Sequence, residues 1–248
     1  AWQLCPDPKC AYLPVDMKLY GIVSERIMKI VRVCTAGAPF EQVSIDEAYV
    51  ELKNEECRVR NCWAQAYKIA EKIKNEIIQK ERLTASVGLG PNKLIAKIAS
   101  DFKKPDGLTV VKPDQVREFL DPLPVRRLPG IGPKTEAELN KKGITTILDL
   151  RLSLSSRDEL FTRAQGIDDT PVKESDEQKS IGREVTFNTD TQDQALLMRT
   201  SFQLCEEVMA EVRNARLVFK TITIRVRFDN FETHTSSQTL SAHTDSDI

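Results

Sequence analysis

The amino-acid sequence predicts an α+β protein built from three modules, and three observations support this prediction. Between residues 16 and 111, segments with helical periodicity alternate with short runs rich in β-branched residues. Residues 112–173 contain short helical segments interrupted by Pro and Gly. A polar segment at 173–183 then precedes a long helix and a regularly alternating strand. The chain has 248 residues, 40% of them hydrophobic, which is enough apolar material for several small cores.

The predicted elements of the first module alternate in type, which indicates a mixed α/β domain built on one sheet. They are a helix at 16–33, a strand at 43–52, a helix at about 63–81, a strand at 83–90, a helix at 92–102 and a strand at 107–111. In the third module, a helix at about 192–214 precedes a strand at 220–228, and a Ser/Thr-rich tail follows it.

The charge balance limits the class of protein. There are 36 Lys and Arg against 37 Asp and Glu, a formal net charge of −1. This excludes a uniformly basic nucleic-acid binder but allows a locally basic face. No apolar run approaches the roughly 18 residues needed to span a bilayer, and the first residues lack a signal-peptide pattern. We therefore expect a soluble, cytoplasmic protein with no membrane partner.

Four of the six cysteines form two pairs with the same spacing, Cys5/Cys10 and Cys57/Cys62. Four residues between paired thiolates is a spacing that permits a zinc site without being diagnostic of one. Small buried or surface thiols are the alternative interpretation. The sequence leaves both open.

Two adjacent carboxylates, Asp46 and Glu47, lie inside the strand-like run VSIDEAYVEL. Carboxylates in a segment that is otherwise suited to burial need compensation, and a divalent cation is a common form of it. Mg²⁺ binds one or two protein carboxylates and fills its other positions with water and substrate phosphates. Adjacent strand residues point to opposite faces, so both could reach one site only at a bend. Two surface acids on an edge strand are the alternative.

The segment 86–107 carries a run of lysines. Gly88 and Gly90 resemble part of a dinucleotide-binding fingerprint, but position 93 is Lys and no βαβ unit follows. From residue 93 to 127 there are eight Lys or Arg against five Asp or Glu. Lysines near an acidic metal site could neutralise the oxygens of a triphosphate, whereas a solvated helix face is the simpler interpretation of each one.

The segment LPGIGPKTEAELNKKGI, 128–144, resembles a helix-hairpin-helix motif. Glycines at a helix start expose successive backbone N–H groups, which can bind a DNA phosphate without reading the base sequence. A glycine-bounded helical hairpin without a ligand is the alternative. In the third module, Arg225 and Arg227 share one face of the predicted strand, opposite Ile224 and Val226. This pattern suggests a sheet that packs on a helix and turns a basic face to a phosphate backbone.

Four motifs occur in one order: SIDEAY, NKLIAKIASDFKKPDG, LPGIGPKTEAEL and KSIGREVTF. Together they resemble the Y-family of translesion DNA polymerases, in particular the DinB type. The resemblance implies an α+β multi-domain fold: a ferredoxin-like palm sheet with helices, a small all-α thumb with the helix-hairpin-helix, and an α+β little finger. The implied boundaries are the end of the fingers at 1–10, the palm at 11–111, the thumb at 112–173, a linker at 174–183 and the little finger at 184–248.

The resemblance also implies roles for individual residues. Asp46 and Glu47 match an acidic motif that holds two catalytic Mg²⁺ ions, and Lys104 matches a lysine that contacts the incoming dNTP. The residues that match DNA contacts are Gly130, Ile131, Gly132, Lys134, Lys179, Ser180, Gly182 and Arg183. The implied partners are primer–template DNA, dNTP and a sliding clamp, and the implied state is a monomer.

The chain departs from the family pattern at both ends. The first acidic motif, the aromatic steric gate and most of the fingers should lie upstream of residue 1, and the little finger stops before its last helix and strand. We therefore expect an internal fragment or a truncated product, with catalysis by this chain alone in question. The hypotheses are a low-fidelity, template-directed DNA polymerase and a non-catalytic DNA-binding protein. A nucleotide cyclase is disfavoured because it has no use for the hairpin and the basic strand.

Overall fold

The computed structural model describes residues 10–52, 62–153, 159–174 and 179–246. The chain divides between residues 175 and 176 into two units. Both helices and strands occur in each unit, which agrees with the predicted α+β class. Residues 1–9 of the expected end of the fingers and residues 175–178 of the expected linker lie outside the described residues.

The first unit contains seven described α-helices and four short strands. Their bounds are α1 Met17–Cys34, β1 Phe40–Gln42, β2 Ala48–Val50, α2 Cys62–Glu81, β3 Val87–Leu89, α3 Lys93–Phe102, β4 Leu108–Val110, α4 Val116–Leu120, α5 Pro133–Lys141, α6 Ile147–Ser153 and α7 Glu159–Ala164. Short 3-10 turns precede α4 and α5. The helices predicted from periodicity are therefore present within one or two residues of their expected ends.

The described strands pair in twos. β1 and β2 are antiparallel, with Phe40 opposite Val50, and β3 and β4 are parallel, with Val87 opposite Leu108. The prediction of one continuous sheet is wrong for the described residues, which form separate two-stranded sheets. The predicted strand 43–52 is also wrong in its first half, because a bend at 44–46 interrupts it.

One core joins α3 to the helical module that follows it. Leu94, Ile95, Ile98 and Ala99 of α3 are buried in the same cluster as residues from 111 to 164. The largest completely buried side chains of that later stretch include Leu120, Leu128, Ile147 and Leu150. The position of α3 is therefore fixed by the helices of residues 113–164 as well as by the strands beside it.

A smaller core lies between α1 and α2, where Ile30 packs with Ile73 and Ile77. The predicted apolar face of α1 is only partly buried, because Leu19 and Ile22 are 51% and 42% exposed. Within the described residues, the C-terminal half of α1 supplies most of the contact with α2.

The second unit contains α8 Gln194–Asn214, β5 Phe219–Arg227 and β6 Thr233–Thr244. β5 and β6 form an antiparallel hairpin, in which Ile224 lies opposite Ser236. The sequence predicted α8 and β5 within two residues, but it assigned β6 to a tail. Among the described helices of the chain, none is both long and apolar enough to cross a membrane.

Candidate functional site

The two predicted acidic residues lie in the loop of the β1–β2 hairpin. The loop is closed by backbone hydrogen bonds from Val43 N and Ser44 N to Glu47 O, at 2.9 and 3.3 Å. Ser44 Oγ donates to Asp46 Oδ1 at 2.6 Å. Ser24 of α1 also donates from its hydroxyl to the backbone oxygen of Ile45, which fixes the loop against α1. The bend removes the constraint that would send Asp46 and Glu47 to opposite faces of a strand.

Lysines of α3 lie directly beside this acidic loop. Lys97 Nζ donates to Glu47 Oε1 and lies 3.3 Å from Asp101 Oδ2. Asp101 in turn pairs with Lys104, whose Nζ lies 2.5 Å from Asp101 Oδ1. The sequence-predicted residues Glu47 and Lys104 are therefore connected by alternating charges through Lys97 and Asp101, and Asp46 is the chain neighbour of Glu47.

These ion pairs shift the pKa values of Lys97 and Asp101. Burial by itself would lower the pKa of Lys97, but the hydrogen bond to Glu47 and the charge of Asp101 outweigh it and raise the pKa. For Asp101, burial would raise the pKa, but the hydrogen bond from Lys104 and the charge of Lys97 lower it. Lys97 and Asp101 are therefore both charged at neutral pH, and each has a partner of opposite charge.

A second ion pair lies beside the acidic loop, and the sequence does not predict this pairing. Lys93 Nζ lies 2.8 Å from both carboxylate oxygens of Glu41, which is 52 positions away. The same ammonium lies 5.0 Å from the ring centroid of Tyr49, the cross-strand partner of Glu41. Burial raises the pKa of Tyr49. Lys173 N donates to Glu41 Oε2 at 3.1 Å, so this pair links the hairpin, α3 and the end of the helical module.

The glycines before α3 allow the backbone at residues 88–90 to pack closely against α3. A Cβ on Gly88 would lie 2.0 Å from Ala96 O, and one on Gly90 would lie 2.7 Å from Ala96 N. At the N-terminus of α3, Asn92 Oδ1 accepts from Ile95 N at 2.9 Å, and Asp168 Oδ2 accepts from Leu94 N at 3.0 Å. The expectation that no βαβ unit follows Gly88 and Gly90 is wrong, because β3 and β4 are parallel and α3 connects them. The fingerprint interpretation still fails, because position 93 is Lys and acceptors of the chain itself occupy this helix start.

The predicted helix-hairpin-helix forms around α5. Gly130 has a φ of +94°, a conformation that favours glycine, and Ile131 is 5% exposed with its N–H donating to Leu128 O at 3.1 Å. Gly132 is the N-cap of α5 and has an ordinary φ of −88°. A Cβ on Gly132 would meet nothing within 4 Å, so the surface there is open. Lys134, in the first turn of α5, is exposed.

One contact of this hairpin was not predicted from sequence. Arg163 of α7 donates from Nη1 to Pro129 O at 3.3 Å, and the same atom is the neighbour that a Cβ on Gly130 would meet. The turn before Gly132 is therefore held from a helix more than thirty residues away.

In the second unit, the predicted contact segment at 179–183 is neither helix nor strand. Lys179 and Ser180 are exposed. Arg183 donates from Nη1 to Gly182 O at 3.0 Å, and its guanidinium pairs with Glu211 and lies 3.9 Å from Glu207. The guanidinium of Arg183 is thus partly neutralised by α8.

The basic face of β5 is present as predicted. Arg225 and Arg227 lie opposite Thr235 and Thr233 of β6, and both arginines are exposed. The predicted packing of the reverse face on a helix is wrong in the described residues, because Ile224 is 58% exposed. The reason is that α8 buries only two side chains, Met209 and Val212, which is too little surface to cover the strand.

The donor set of the acidic loop fits Mg²⁺ as a partial site. Asp46 and Glu47 offer hard carboxylate oxygens, and Mg²⁺ completes its octahedron with water and phosphate oxygens. In the part of the chain that the structure describes, no group of three or more His, Cys, Asp or Glu could hold a metal by itself. Cys10 is disulfide-bonded and Cys62 is a free thiol, so the four-thiolate zinc site is not formed in this structure. Cys5 and Cys57 lie outside the described residues.

The site thus combines an acidic loop beside lysines with an open, glycine-capped helical hairpin. Family models identify the family. The impB/mucB/samB family matches residues 1–101, its C-terminal domain matches 178–248, and the helix-hairpin-helix motif of the same family matches 113–144. The chain belongs to this family, that of the DinB-type Y-family DNA polymerases.

Two curated relatives show how much of the family protein the chain represents. It is 43% identical to DNA polymerase IV 2 of Methanosarcina mazei, covering 98% of this chain and 66% of that protein. It is 42% identical to DNA polymerase IV of Methanoculleus marisnigri, covering 97% and 67%. The chain therefore spans about two thirds of the length of these relatives.

Solved structures give the same family. A Y-family chimera of the Dbh and Dpo4 polymerases superposes with a TM-score of 0.80 at 29% identity, covering 98% of this chain and 70% of the chimera. The insertion ternary complex of Dbh DNA polymerase superposes with a TM-score of 0.66 at 28% identity, covering 97% and 70%.

Proposed function

We propose that this chain is the part of a low-fidelity, template-directed DNA polymerase that holds the second acidic motif, and that the protein acts in DNA damage bypass. The observation that carries the proposal is the position of Asp46 and Glu47. They lie at the bend of the β1–β2 hairpin beside Lys97, and Asp101 connects Lys97 to Lys104. This arrangement supports a site in which the two carboxylates hold a cation and Lys104 contacts a triphosphate.

The proposed reaction is nucleotidyl transfer from a dNTP. The primer 3′-hydroxyl oxygen forms a bond to the α-phosphorus while the bond from that phosphorus to the pyrophosphate oxygen breaks. Asp46 and Glu47 would hold Mg²⁺, as one of two ions. Bound Mg²⁺ stabilises charge on the attacking and leaving oxygens.

Lys104 is the proposed contact for the triphosphate. Its side chain is 58% exposed, so an incoming phosphate can reach its ammonium group. A phosphate oxygen would replace the Asp101 carboxylate as the partner of Lys104 and would free Asp101 for Lys97. Binding of the nucleotide therefore exchanges one charged partner for another and leaves no lysine without a counter-charge.

The proposed DNA contacts form three groups. At Gly130 and Gly132, the exposed backbone allows a phosphate to approach, and exposed Lys134 adds charge. Ile131 between them is buried and its N–H is donated to Leu128 O, so its proposed part is to hold the turn. The segment at 179–183 supplies Lys179, Ser180, Gly182 and Arg183, and β5 supplies Arg225 and Arg227.

The remaining assignments rest on the family. Residues 11–111 would be palm, 112–173 thumb and 184–248 little finger. Primer–template DNA and dNTP are the proposed partners, and the Dbh ternary complex supports this choice by analogy. A sliding clamp, a monomeric state and a cytoplasmic location are proposed with them.

Formation of a ternary complex tests the proposal. The anisotropy of a labelled duplex with a recessed, dideoxy-terminated 3′ end should rise as the chain binds it. In Mg²⁺, the dNTP complementary to the template base should tighten this binding more than the other three dNTPs. Blunt duplex is the control. Binding that ignores both the recessed end and the dNTP would instead assign the chain to non-catalytic DNA binding.

Primer extension with an unblocked primer is the second assay. In a parent protein that extends the primer, Asp46→Asn should abolish extension and leave duplex affinity nearly unchanged, because the loop is held by backbone bonds and by Ser24. Extension that survives in Asp46→Asn would contradict the role given to Asp46.

A further inference from the structure

The loop that carries Lys104 is bound to its surroundings on both sides. It connects α3 to β4 over residues 103–107. Gly107 N donates to Ser86 Oγ at 3.1 Å, and Val87 N donates to Gly107 O at 2.9 Å, which joins the end of the loop to the start of β3. A Cβ on Gly107 would lie 2.4 Å from Lys103 O, so the backbone closes on itself there.

Lys74 of α2 also binds this loop. Its Nζ donates to Ala85 O at 2.6 Å, to Asp106 O at 2.8 Å and to Asp106 Oδ1. An ammonium group has three donors, and these three acceptors use all of them. The side chain of Lys74 is only 12% exposed, so these three acceptors replace most of the water that would surround an exposed ammonium group.

The residue that Lys74 holds has an unusual backbone conformation. Asp106 has a φ of +63°, in the left-handed region that non-glycine residues adopt at a cost. Lys74 binds the backbone oxygen and the carboxylate of Asp106 together, and it thereby fixes the orientation of the peptide two residues after Lys104. The exposed side chain of Lys104 thus projects from a loop whose backbone is fixed at Asp106 and Gly107.

We propose that Lys74 is a positioning residue for nucleotide binding, which acts through Lys104 and never touches the nucleotide. This inference rests on the proposed function. A loop that is ordered before the triphosphate arrives loses less conformational freedom on binding, so the nucleotide binds more tightly. The competing interpretation is a buried ion pair that only joins α2 to the strands.

A double-mutant cycle separates these interpretations. Lys74→Met keeps the aliphatic stem and removes the donors, and Lys104→Met removes the proposed phosphate contact. The probe is dATP, titrated into the chain bound to a dideoxy-terminated primer with a templating dT, in Mg²⁺. Lys74→Met should weaken dATP binding by at least about threefold. In the Lys104→Met background, the same change should produce no further loss. Duplex affinity should stay the same.

Two further variants complete the design. Lys72→Met, at an exposed position of the same helix, removes the same charge and should leave dATP affinity unchanged. If Lys74→Met does not fold, as judged by thermal unfolding, Asp106→Asn decides. Asn tolerates the left-handed conformation and keeps the backbone acceptor, so this variant loses only the carboxylate. It should weaken dATP binding in the wild-type background and have no effect in the Lys104→Met background.

The other outcomes overturn the proposal. An unchanged dATP affinity in a folded Lys74→Met or Asp106→Asn variant excludes positioning. An equal loss in both backgrounds shows that Lys74 acts on the fold and not through Lys104. A wild-type chain that binds the duplex but gives no dATP-dependent complex overturns the proposed function, and this inference with it.

Discussion

The ammonium group of Lys97 donates a hydrogen bond to the carboxylate of Glu47, a residue 50 positions earlier in the chain. Glu47 lies in the loop of the β1–β2 hairpin, and Lys97 lies on the face of α3 beside it. A carboxylate that is paired with a lysine attracts a second cation less strongly than an unpaired carboxylate does. Lys97 and a divalent metal ion therefore compete for Glu47.

Lys97→Met should increase the affinity of the chain for Mn²⁺, used as a probe for Mg²⁺. The two side chains are 27% and 41% exposed, so the lost pair is worth about 0.5–1 kcal/mol, which corresponds to about two- to fivefold in affinity. Free Mn²⁺ measured by electron paramagnetic resonance gives the affinity without any turnover.

Lys103→Met is the matched control for this change, since Lys103 is exposed at the C-cap of α3 and carries the same charge. It should leave the Mn²⁺ affinity nearly unchanged. Equal tightening in both variants would mean that net charge, and not the contact with Glu47, sets the affinity.

The helices were predictable from sequence because their signals are local. Asn92 and Asp193 each precede an apolar periodic segment, and their side chains accept from backbone N–H groups of the first turn of α3 and α8. The sequence places α3 at 92–102, and the structure has it at Lys93–Phe102.

The acidic hairpin was only partly predictable because tertiary contacts make the bend. Val43 and Ile45 are typical strand residues, and no glycine or proline marks a turn between them. The bend is held from outside the segment by Ser24 of α1 and by Gln42, whose Nε2 donates to Ser44 O at 3.0 Å. Spacing along the chain could identify Asp46 and Glu47, but not the lysine that faces them.

β6 was missed for a different reason. Its sequence, THTSSQTLSAHT, lacks the alternation of apolar and polar residues that indicates a half-buried strand. Its pairing depends on backbone bonds to β5 and on cross-strand hydroxyl contacts, such as Thr223 Oγ1 to Ser237 Oγ at 2.9 Å. His234 and His243 therefore lie in a strand and not in a tail.

Gly132→Asn should weaken duplex binding without weakening the helical hairpin. Asn is a preferred N-cap residue, and the φ of −88° accepts it, so α5 should be as stable as in the wild type. The added side chain fills the space where a phosphate would approach the N–H groups. Loss of about one charge-assisted hydrogen bond corresponds to about tenfold in affinity, measured by anisotropy.

Lys134→Ala provides the comparison for this prediction. It should weaken binding and reduce the slope of log affinity against log salt by about 1, whereas Gly132→Asn changes no charge and should leave the slope alone. Wild-type affinity in Gly132→Asn would show that the open surface at Gly132 is not where DNA binds.

Gly88→Ala should destabilise the first unit severely. The new Cβ would lie 2.0 Å from Ala96 O and 2.4 Å from Ser100 N, both of which belong to the backbone of α3. Forcing α3 away from β3 should cost about 3 kcal/mol, measured by urea unfolding. Gly21→Ala in α1 is the control, because a Cβ there meets nothing within 4 Å. It should stabilise the chain by about 0.5–1 kcal/mol, so a similar result for both glycines would contradict the packing argument.

Asp149 makes the helical hairpin sensitive to acid. Its Oδ2 accepts from Thr146 N at 2.9 Å and from Thr145 N at 3.1 Å, while Asp149 N donates to Thr146 Oγ1 at 3.1 Å, which forms a reciprocal cap at the start of α6. The backbone N–H and the hydroxyl of Thr146, followed by the N–H of Thr145, lower the pKa of Asp149 from 3.8 to about 2.

Because the folded state has the lower pKa, the ionised carboxylate stabilises the fold above pH 4, and this contribution is lost as the pH falls from about 4 to about 2. Asp149→Asn should therefore unfold at a lower temperature than the wild type at pH 7, and the difference should shrink steadily below pH 4. Thermal unfolding followed by circular dichroism between pH 7 and pH 2.5 measures both trends. If the difference stays constant over that range, the charge of Asp149 contributes nothing to the cap, and the hydrogen-bond geometry alone accounts for its effect.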